Sequence, residues 1–247
     1  MPDVVSIGVP VFRGKKFVAE TLQSIRSQIY RELDVLISVD GGDSASADAC
    51  ESVLTDSRFR MVVHDHRMGW AQNISWLMRN CRGSFWYYHQ QDDTVAEDYV
   101  QSLLDYAYAH PAAAVVYSDM QAFGDISVAL MQQPVFGPPA LREIVLLSGH
   151  HPAVAFRGLT RREALQQAGG IRENEVESFS ADTTWMASVA RAGELHRLPR
   201  TLYRKRYHAA NVHTRWASWP LERRKLGWQV HCRDMFLEAA QAEATTI

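Results

Sequence analysis

Phe85-Trp86-Tyr87-Tyr88-His89-Gln90-Gln91-Asp92-Asp93-Thr94 carries no acid until two adjacent carboxylates end it. The aromatic run reads as a strand covered on both faces of a sheet, because large uncharged rings fit that position. The carboxylates arrive at its C-terminal end, the edge at which open α/β sheets take their ligands. Two neighbouring acids repel each other, so a cation is expected between them. A divalent metal holding phosphates is the economical choice, since hard cations prefer oxygen ligands. The plainer reading is a strand followed by a polar turn, with an Asp capping a helix from Glu97.

Working outward, short apolar runs alternate with helical periodicity. Val4–Val9, Leu33–Val39, Arg60–His64 and Ala113–Ser118 read as further strands. Phe17–Gln28, Ala45–Leu54, Ala71–Asn80 and Glu97–His110 read as helices between them. That rhythm predicts an α/β fold with a doubly wound, mostly parallel sheet. After Asp119 the pattern loosens: Phe123 to Pro139 contains Gly124, Gly137 and three prolines, an irregular excursion. Helices follow over Pro139–Leu147, Arg161–Ala168 and Asp182–Ala192, then an extended stretch over Leu195–Leu202 and a long helix over Leu221–Ala242.

The chain has 247 residues, 47% hydrophobic and 22% charged, enough for one sizeable core. The net charge of −2 is unevenly spread. Residues 1–140 hold 10 Lys and Arg against 17 Asp and Glu (−7), and residues 141–247 hold 16 against 11 (+5). The acidic part suits a bound cation; the basic part suits an anion or a membrane surface. Three cysteines without metal spacing suggest a reducing compartment. The N-terminus lacks the pattern of a signal peptide, and no apolar run approaches the ~20 residues of a membrane span. These features predict a cytoplasmic protein with no nucleic-acid partner.

Three more clusters carry chemistry. Asp40-Gly41-Gly42-Asp43-Ser44 closes the second strand, with glycines that let a ligand approach the backbone. Asp182 opens a helix, either as a cap or as a general base toward a hydroxyl. Arg204-Lys205-Arg206-Tyr207-His208 concentrates cations and an imidazole, either as a solvated basic loop or as a neutraliser of phosphates. A haloacid-type phosphatase also puts acids after a strand, but it needs an Asp where Gln90 or Gln91 stands.

In this order the pieces resemble the inverting GT-A glycosyltransferases of family 2. The resemblance covers residues 4–215 and rests on Ser6 to Phe12, Asp40 to Ser44, Gly69 to Asn73, Gly83 to Asp93, Asp182 and Arg206 to Val212. It departs at Arg13, at Gln90, where the family has its leading Asp, and at Ala181, where it has Glu. The resemblance implies a GT-A domain over 1–215, with a nucleotide half over 1–120 and an acceptor-side half over 121–215. A C-terminal helical extension over 216–247 follows.

It further implies that Pro10, Phe12, Asp40, Gly69, Asn73, Gln91 and Asp92 bind a nucleotide, a UDP- or dTDP-linked sugar being expected. Asp93 and His208 would hold Mn or Mg, and Arg204 and Arg206 the diphosphate. Asp182 would take the proton of an acceptor hydroxyl, with His150, His151 and Trp185 on the acceptor side. The acceptor would be a glycan or a lipid-linked glycan, in cell-surface polysaccharide or glycoconjugate synthesis.

Two rivals stay open. A sugar-nucleotide nucleotidyltransferase would use a basic Gly-rich loop, of which Gly14-Lys15-Lys16 is a partial echo. A nucleotide-sugar-binding module without turnover would fit the departures at Gln90 and Ala181. The last helix also has two readings: packing on the domain, or lying on an anionic membrane through Arg223-Arg224-Lys225 and Trp216, Trp219 and Trp228.

Overall fold

The computed structural model describes residues 2–149 and 153–244. Four strands form its parallel part: β1 (Val5–Val11), β2 (Leu33–Val39), β3 (Phe59–Val63) and β4 (Phe85–Tyr88). They lie in the order β3-β2-β1-β4. Every residue of β4 is buried, as its aromatic run requires. Helices α1 (Val18–Arg26), α2 (Ser44–Cys50), α3 (Trp70–Arg79) and α4 (Tyr99–Ala109) connect and flank these strands. The apolar faces of α1 and α4 and one face of the sheet make one core, which includes Leu22, Ile25, Leu103, Ile7, Ile37 and Tyr87.

The sheet then departs from a purely parallel plan. β8 (Leu159–Arg161), a strand of only three residues, inserts antiparallel between β4 and β6 (Ala113–Gly124). β6 runs parallel to the long β9 (Glu194–Tyr207) and carries the short β7 (Ala129–Leu130) on its tail. β5 (Thr94–Val95), directly after the acidic turn, pairs antiparallel with Tyr203 and Arg204 of β9. The turn after β4 and the end of β9 are therefore stitched together at one rim. The irregular excursion expected over Phe123 to Pro139 contains β7, and α5 (Pro139–Leu147) follows it as the sequence predicted.

A second core packs α3, α6 (Arg162–Ala168) and α7 (Ala181–Ala192) on the other face, around Trp86, Phe156, Trp185 and Met186. The chain ends in α8 (Val212–Ala217) and α9 (Leu221–Ala244). Trp219, Val230, Val176 and Phe179 form a small third cluster. Ser188 of α7 donates to Glu238 of α9 at 2.8 Å. Trp219 is buried, and Arg223 lies 4.5 Å over its ring while pairing with Glu177. The packing reading of the last helix thus accounts for Trp219 and Arg223. Among the described residues no helix is long and apolar enough to cross a membrane.

Candidate active site

Asp92 and Asp93 are both buried, yet their surroundings differ. Asp93 Oδ2 accepts from the Tyr203 hydroxyl at 2.9 Å, and its Oδ1 accepts from the Arg206 backbone N–H at 2.7 Å. The Arg157 guanidinium stands 3.7 Å away. Both oxygens of Asp93 are therefore committed to the protein. Asp92 Oδ2 meets His208 Nε2 at 2.7 Å and Asn211 Nδ2 at 3.1 Å, while its Oδ1 is buried with no hydrogen-bond partner. A buried, unmatched carboxylate oxygen is costly unless something binds it. Burial first, and the Asp92 charge second, push the Asp93 carboxyl up to about 6.

The turn holding these acids is anchored from α1 and β9. The Thr21 hydroxyl meets the carbonyls of Gln91 and Asp93, each at 2.8 Å. Arg206 Nε donates to the Asp92 carbonyl at 2.9 Å, and its Nη2 pairs with Glu20 at 2.6 Å. The Arg206 guanidinium also covers the rings of Phe17 and Phe123. Arg204 is exposed and lies on the same Phe123 ring. The two arginines expected at the diphosphate thus lay their guanidinium groups on aromatic rings, and neither guanidinium bonds a carboxylate oxygen of Asp92 or Asp93. They share one face of β9, and successive strand residues face opposite ways. The opposite face carries Tyr203, Lys205 and Tyr207.

Lys205 and Arg157 are the cations that do face the site. They line a cavity of about 350 Å³ together with Met120, Leu130, Met131 and Tyr207. Burial, then the neighbouring Arg157, bring Lys205 down to about 8, while Asp93, Asp182 and Asp92 work the other way. Burial also opposes the Arg157 charge, but Tyr203, Asp93 and Asp182 hold its pKa above the ordinary value. Tyr99 fixes the Arg157 carbonyl at 2.6 Å. Sequence reading missed Arg157, a lone arginine in an irregular stretch. Lys205 was quoted within its basic run but given no role of its own.

Asp182 lies in the first turn of α7, where its Oδ1 accepts from Thr183 N–H at 3.0 Å. Burial raises its pKa against the pull of Arg157. The helix is entered through Glu177, Ser178 and Ser180, all non-glycine residues with φ near +54° (+53°, +54° and +55°). Such backbone costs about 1–3 kcal/mol per residue and persists only where packing enforces it. Here the enforcing contacts include Asn174, which donates to the Phe179 carbonyl, and Trp216, Trp219 and Trp228 around the Phe179 ring. The C-terminal helices thus hold the turn that aims Asp182.

On the nucleotide side, Gln91 grips the Phe12 main chain twice, accepting from its N–H at 2.8 Å and donating to its carbonyl at 2.9 Å. Pro10 is the last residue but one of β1 and lies opposite Ser38. Asp40 accepts from Met68 N–H (2.6 Å) and Gly69 N–H (2.9 Å), so it holds the start of α3. Asn73 is buried and donates to the Ser38 carbonyl. Trp185 is likewise a core residue, with Nε1 bonded to the Gly169 carbonyl and its ring packed on Trp86 and Phe156. It belongs to packing and not to an acceptor surface. His150 and His151 lie outside the described residues.

The model of Glycosyl transferase family 2 matches residues 6–169. The chain belongs to that family. Among curated family relatives, the glycosyltransferase GlyG of Streptococcus pneumoniae is 23% identical over 47% of this chain and 39% of its own length. The O-antigen biosynthesis protein RfbC of Myxococcus xanthus is 27% identical over 69% of this chain and 13% of its own. This chain therefore spans about two-fifths or less of these relatives. Two solved structures share its fold. S. aureus TarS in complex with UDP-GlcNAc superposes with a TM-score of 0.69 at 13% identity, covering 88% of this chain and 62% of that one. The Pyrobaculum calidifontis mannosyltransferase PcManGT, in complex with GDP-Man and Mn2+, gives 0.68 at 16%, covering 98% and 65%. The GT-A fold expected from the sequence is the fold observed.

Among the described residues no group of three His, Cys, Asp or Glu side chains is gathered for a metal. The pair Asp92 and His208 nonetheless fits one. It offers an unmatched carboxylate oxygen beside an imidazole nitrogen, and Mg or Mn commonly takes few protein ligands and completes its shell with phosphates and water.

Proposed function

We propose that the chain transfers a sugar from a nucleotide-diphosphate sugar to an acceptor hydroxyl, with inversion at the anomeric carbon. The observation that carries this reading is the common rim itself. A carboxyl raised by burial, Asp182, and a carboxylate with an unmatched oxygen, Asp92, act on the same half-buried cation, Lys205. A base and a phosphate-facing group are what the reaction needs on either side of the sugar.

Asp182 accepts the proton of the acceptor hydroxyl as that oxygen attacks the anomeric carbon. The bond to the diphosphate breaks on the opposite face, which inverts the centre. The raised pKa of Asp182 suits a base whose proton arrives late in the transition state. Lys205 and Arg157 replace Arg204 and Arg206 as the cations that offset charge on the departing diphosphate. Arg206 orders the acidic turn instead. Asp92 and His208 would hold a divalent metal, whose chemistry when bound is Lewis-acid relief of leaving-group charge. Asp93 supports Arg157 and Tyr203. The cavity lined by Met120, Leu130, Met131, Arg157 and Lys205 would receive the sugar or the acceptor end.

The test is transfer from labelled nucleotide sugars to glycan and lipid-linked acceptors, with the product anomer read by NMR. The reading expects nucleoside diphosphate release and an inverted product, both lost in Asp182→Asn. Pyrophosphate release would instead indicate a nucleotidyltransferase, and nucleotide binding without transfer across the acceptor panel would indicate a binding module.

A further inference from the structure

Lys16 and Arg204 are exposed cations that the transfer reaction leaves unused. They are the two ends of a ladder in which cations and rings alternate. Lys16 Nζ lies 4.9 Å from the centroid of the Phe17 ring, and the Arg206 guanidinium lies 4.6 Å from the same centroid. Arg206 also lies 4.4 Å from the centroid of the Phe123 ring, which Arg204 approaches to 4.6 Å. Glu20 neutralises Arg206, whereas among the described residues Lys16 and Arg204 have no ion pair.

The ladder ends at a hairpin. β6 and β7 pair antiparallel through Met120 with Leu130 and Gln121 with Ala129, and Ala122 N–H donates to the Val128 carbonyl. The tip, Gly124 to Val128, starts directly after Phe123 and is braced on the end of β9. Asp125 N–H donates to the Tyr207 carbonyl at 2.9 Å, and a Cβ on Gly124, at φ +96°, would strike that same oxygen. This exposed tip carries Ile126 (43% exposed) and Val128 (46%), with Met131 (65%) just beyond β7. No charged residue stands between Asp125 and Arg142. Aliphatic side chains held out on a braced turn cost free energy in water unless something covers them. Leu130 and Met131 also line the cavity, so the hairpin separates the ladder from it.

We propose that this rim docks on an anionic lipid surface, with Ile126 and Val128 entering the acyl boundary and Lys16 and Arg204 meeting lipid phosphates. Apolar side chains at the tip, cations beside them and half-buried rings under the cations are the parts of an interfacial anchor. An acidic glycan would suit the ladder but would leave Ile126 and Val128 in water. The last helix is the poorer candidate for such contact. Its Arg223 pairs with Glu177, Lys225 with Glu222 and Arg233 with Glu175, so these cations already have acidic partners. Docking through the hairpin sets the cavity beside the bilayer, where on the transferase reading above a lipid-linked acceptor would be met. The docking itself does not depend on that reading.

Co-sedimentation of the full chain with phosphatidylcholine vesicles, with and without phosphatidylglycerol, tests this. Binding is expected only with phosphatidylglycerol and should weaken as salt rises. Lys16→Gln and Arg204→Gln should each weaken it about fivefold, the effect of one cation at an anionic surface. Ile126→Ser combined with Val128→Ser should weaken it at least about tenfold at an unchanged melting temperature, since both side chains are exposed. Arg224→Glu combined with Lys225→Glu on α9 should leave it within about twofold. Binding to neither vesicle would overturn the proposal and leave the transferase reading in place. So would vesicle binding that is indifferent to the hairpin pair, or that is lost with the α9 pair. Capture of dextran sulfate in place of vesicles would overturn it in favour of an acidic glycan. A dimer in place of vesicle binding, abolished by the hairpin pair, would overturn it in favour of a second copy of the chain.

Discussion

The acidic turn after β4 and the strand β9 each bring charged residues to the same rim, and each divides them. In β9 the division is geometric. Arg204 and Arg206 go to the face with Phe17 and Phe123, and Lys205 goes to the face with Arg157 and the cavity. In the turn the division comes from partners. Asp93 is fully bonded to Tyr203 and Arg206, whereas Asp92 keeps a bare oxygen beside His208. Adjacent residues of one charge are thus not interchangeable. One of each set frames the site, and the other holds the frame.

The largest expected effect lies at the base. Asp182→Asn should lower turnover by about 10²–10⁴-fold, the range for removing a general base, while nucleotide affinity stays within about twofold. Kinetics alongside calorimetry separates the two. Asp93→Ala should act on stability, because it leaves the Arg157 charge buried without its partner. A loss of about 3–5 kcal/mol is expected in denaturant unfolding. Comparable stability with selective loss of metal-dependent binding would break the contrast between the two acids.

The two faces of β9 are sharpened by a pair of substitutions. Lys205→Met should reduce turnover by about 10- to 100-fold, as loss of one charge-stabilising group does, and Arg204→Met should change it by less than about twofold. With Lys205 near pH 8, activity should fall as pH rises through that value, since the ammonium is then lost. Lys205→Arg should move that limb upward, because a guanidinium keeps its proton.

A smaller effect tests Asp93 by pH. Its folded-state pKa is raised from 3.8 to about 6, so the stability linked to its proton is complete below 3.8 and lost as pH rises through about 6. Between about pH 4.5 and 6.5 the wild-type chain should lose roughly 2 kcal/mol relative to the trend of Asp93→Asn. Parallel pH trends for the two would contradict the burial of a titrating carboxyl there.

The parallel part of the fold was legible because its strands are continuous apolar runs closed by Asp40 and Asp92. β8 was not: Leu159-Thr160-Arg161 is too short to show a period, and its pairing with β4 and β6 is decided by tertiary contacts. The basic run was seen, but as a loop with extended structure ending near Leu202. Without a strand through Tyr207, the alternation that selects Lys205 over Arg204 could not be applied. The roles of Asp92 and Asp93 depend on Tyr203, Arg206 and His208, more than a hundred residues away in sequence. No local pattern encodes which of two neighbouring acids those residues will satisfy. Asn73 and Trp185 fit the family pattern by position, and their packing into the protein could be read only from the fold.

The most direct test of the division between the acids is manganese-dependent GDP and UDP binding to Asp92→Asn and Asp93→Asn, measured by calorimetry with thermal melts of the same samples. The account predicts that Asp92→Asn melts like the wild type and loses the metal-dependent part of binding. It predicts that Asp93→Asn keeps that part in the fraction that remains folded. Metal-dependent binding retained in Asp92→Asn and lost in a stably folded Asp93→Asn would contradict it.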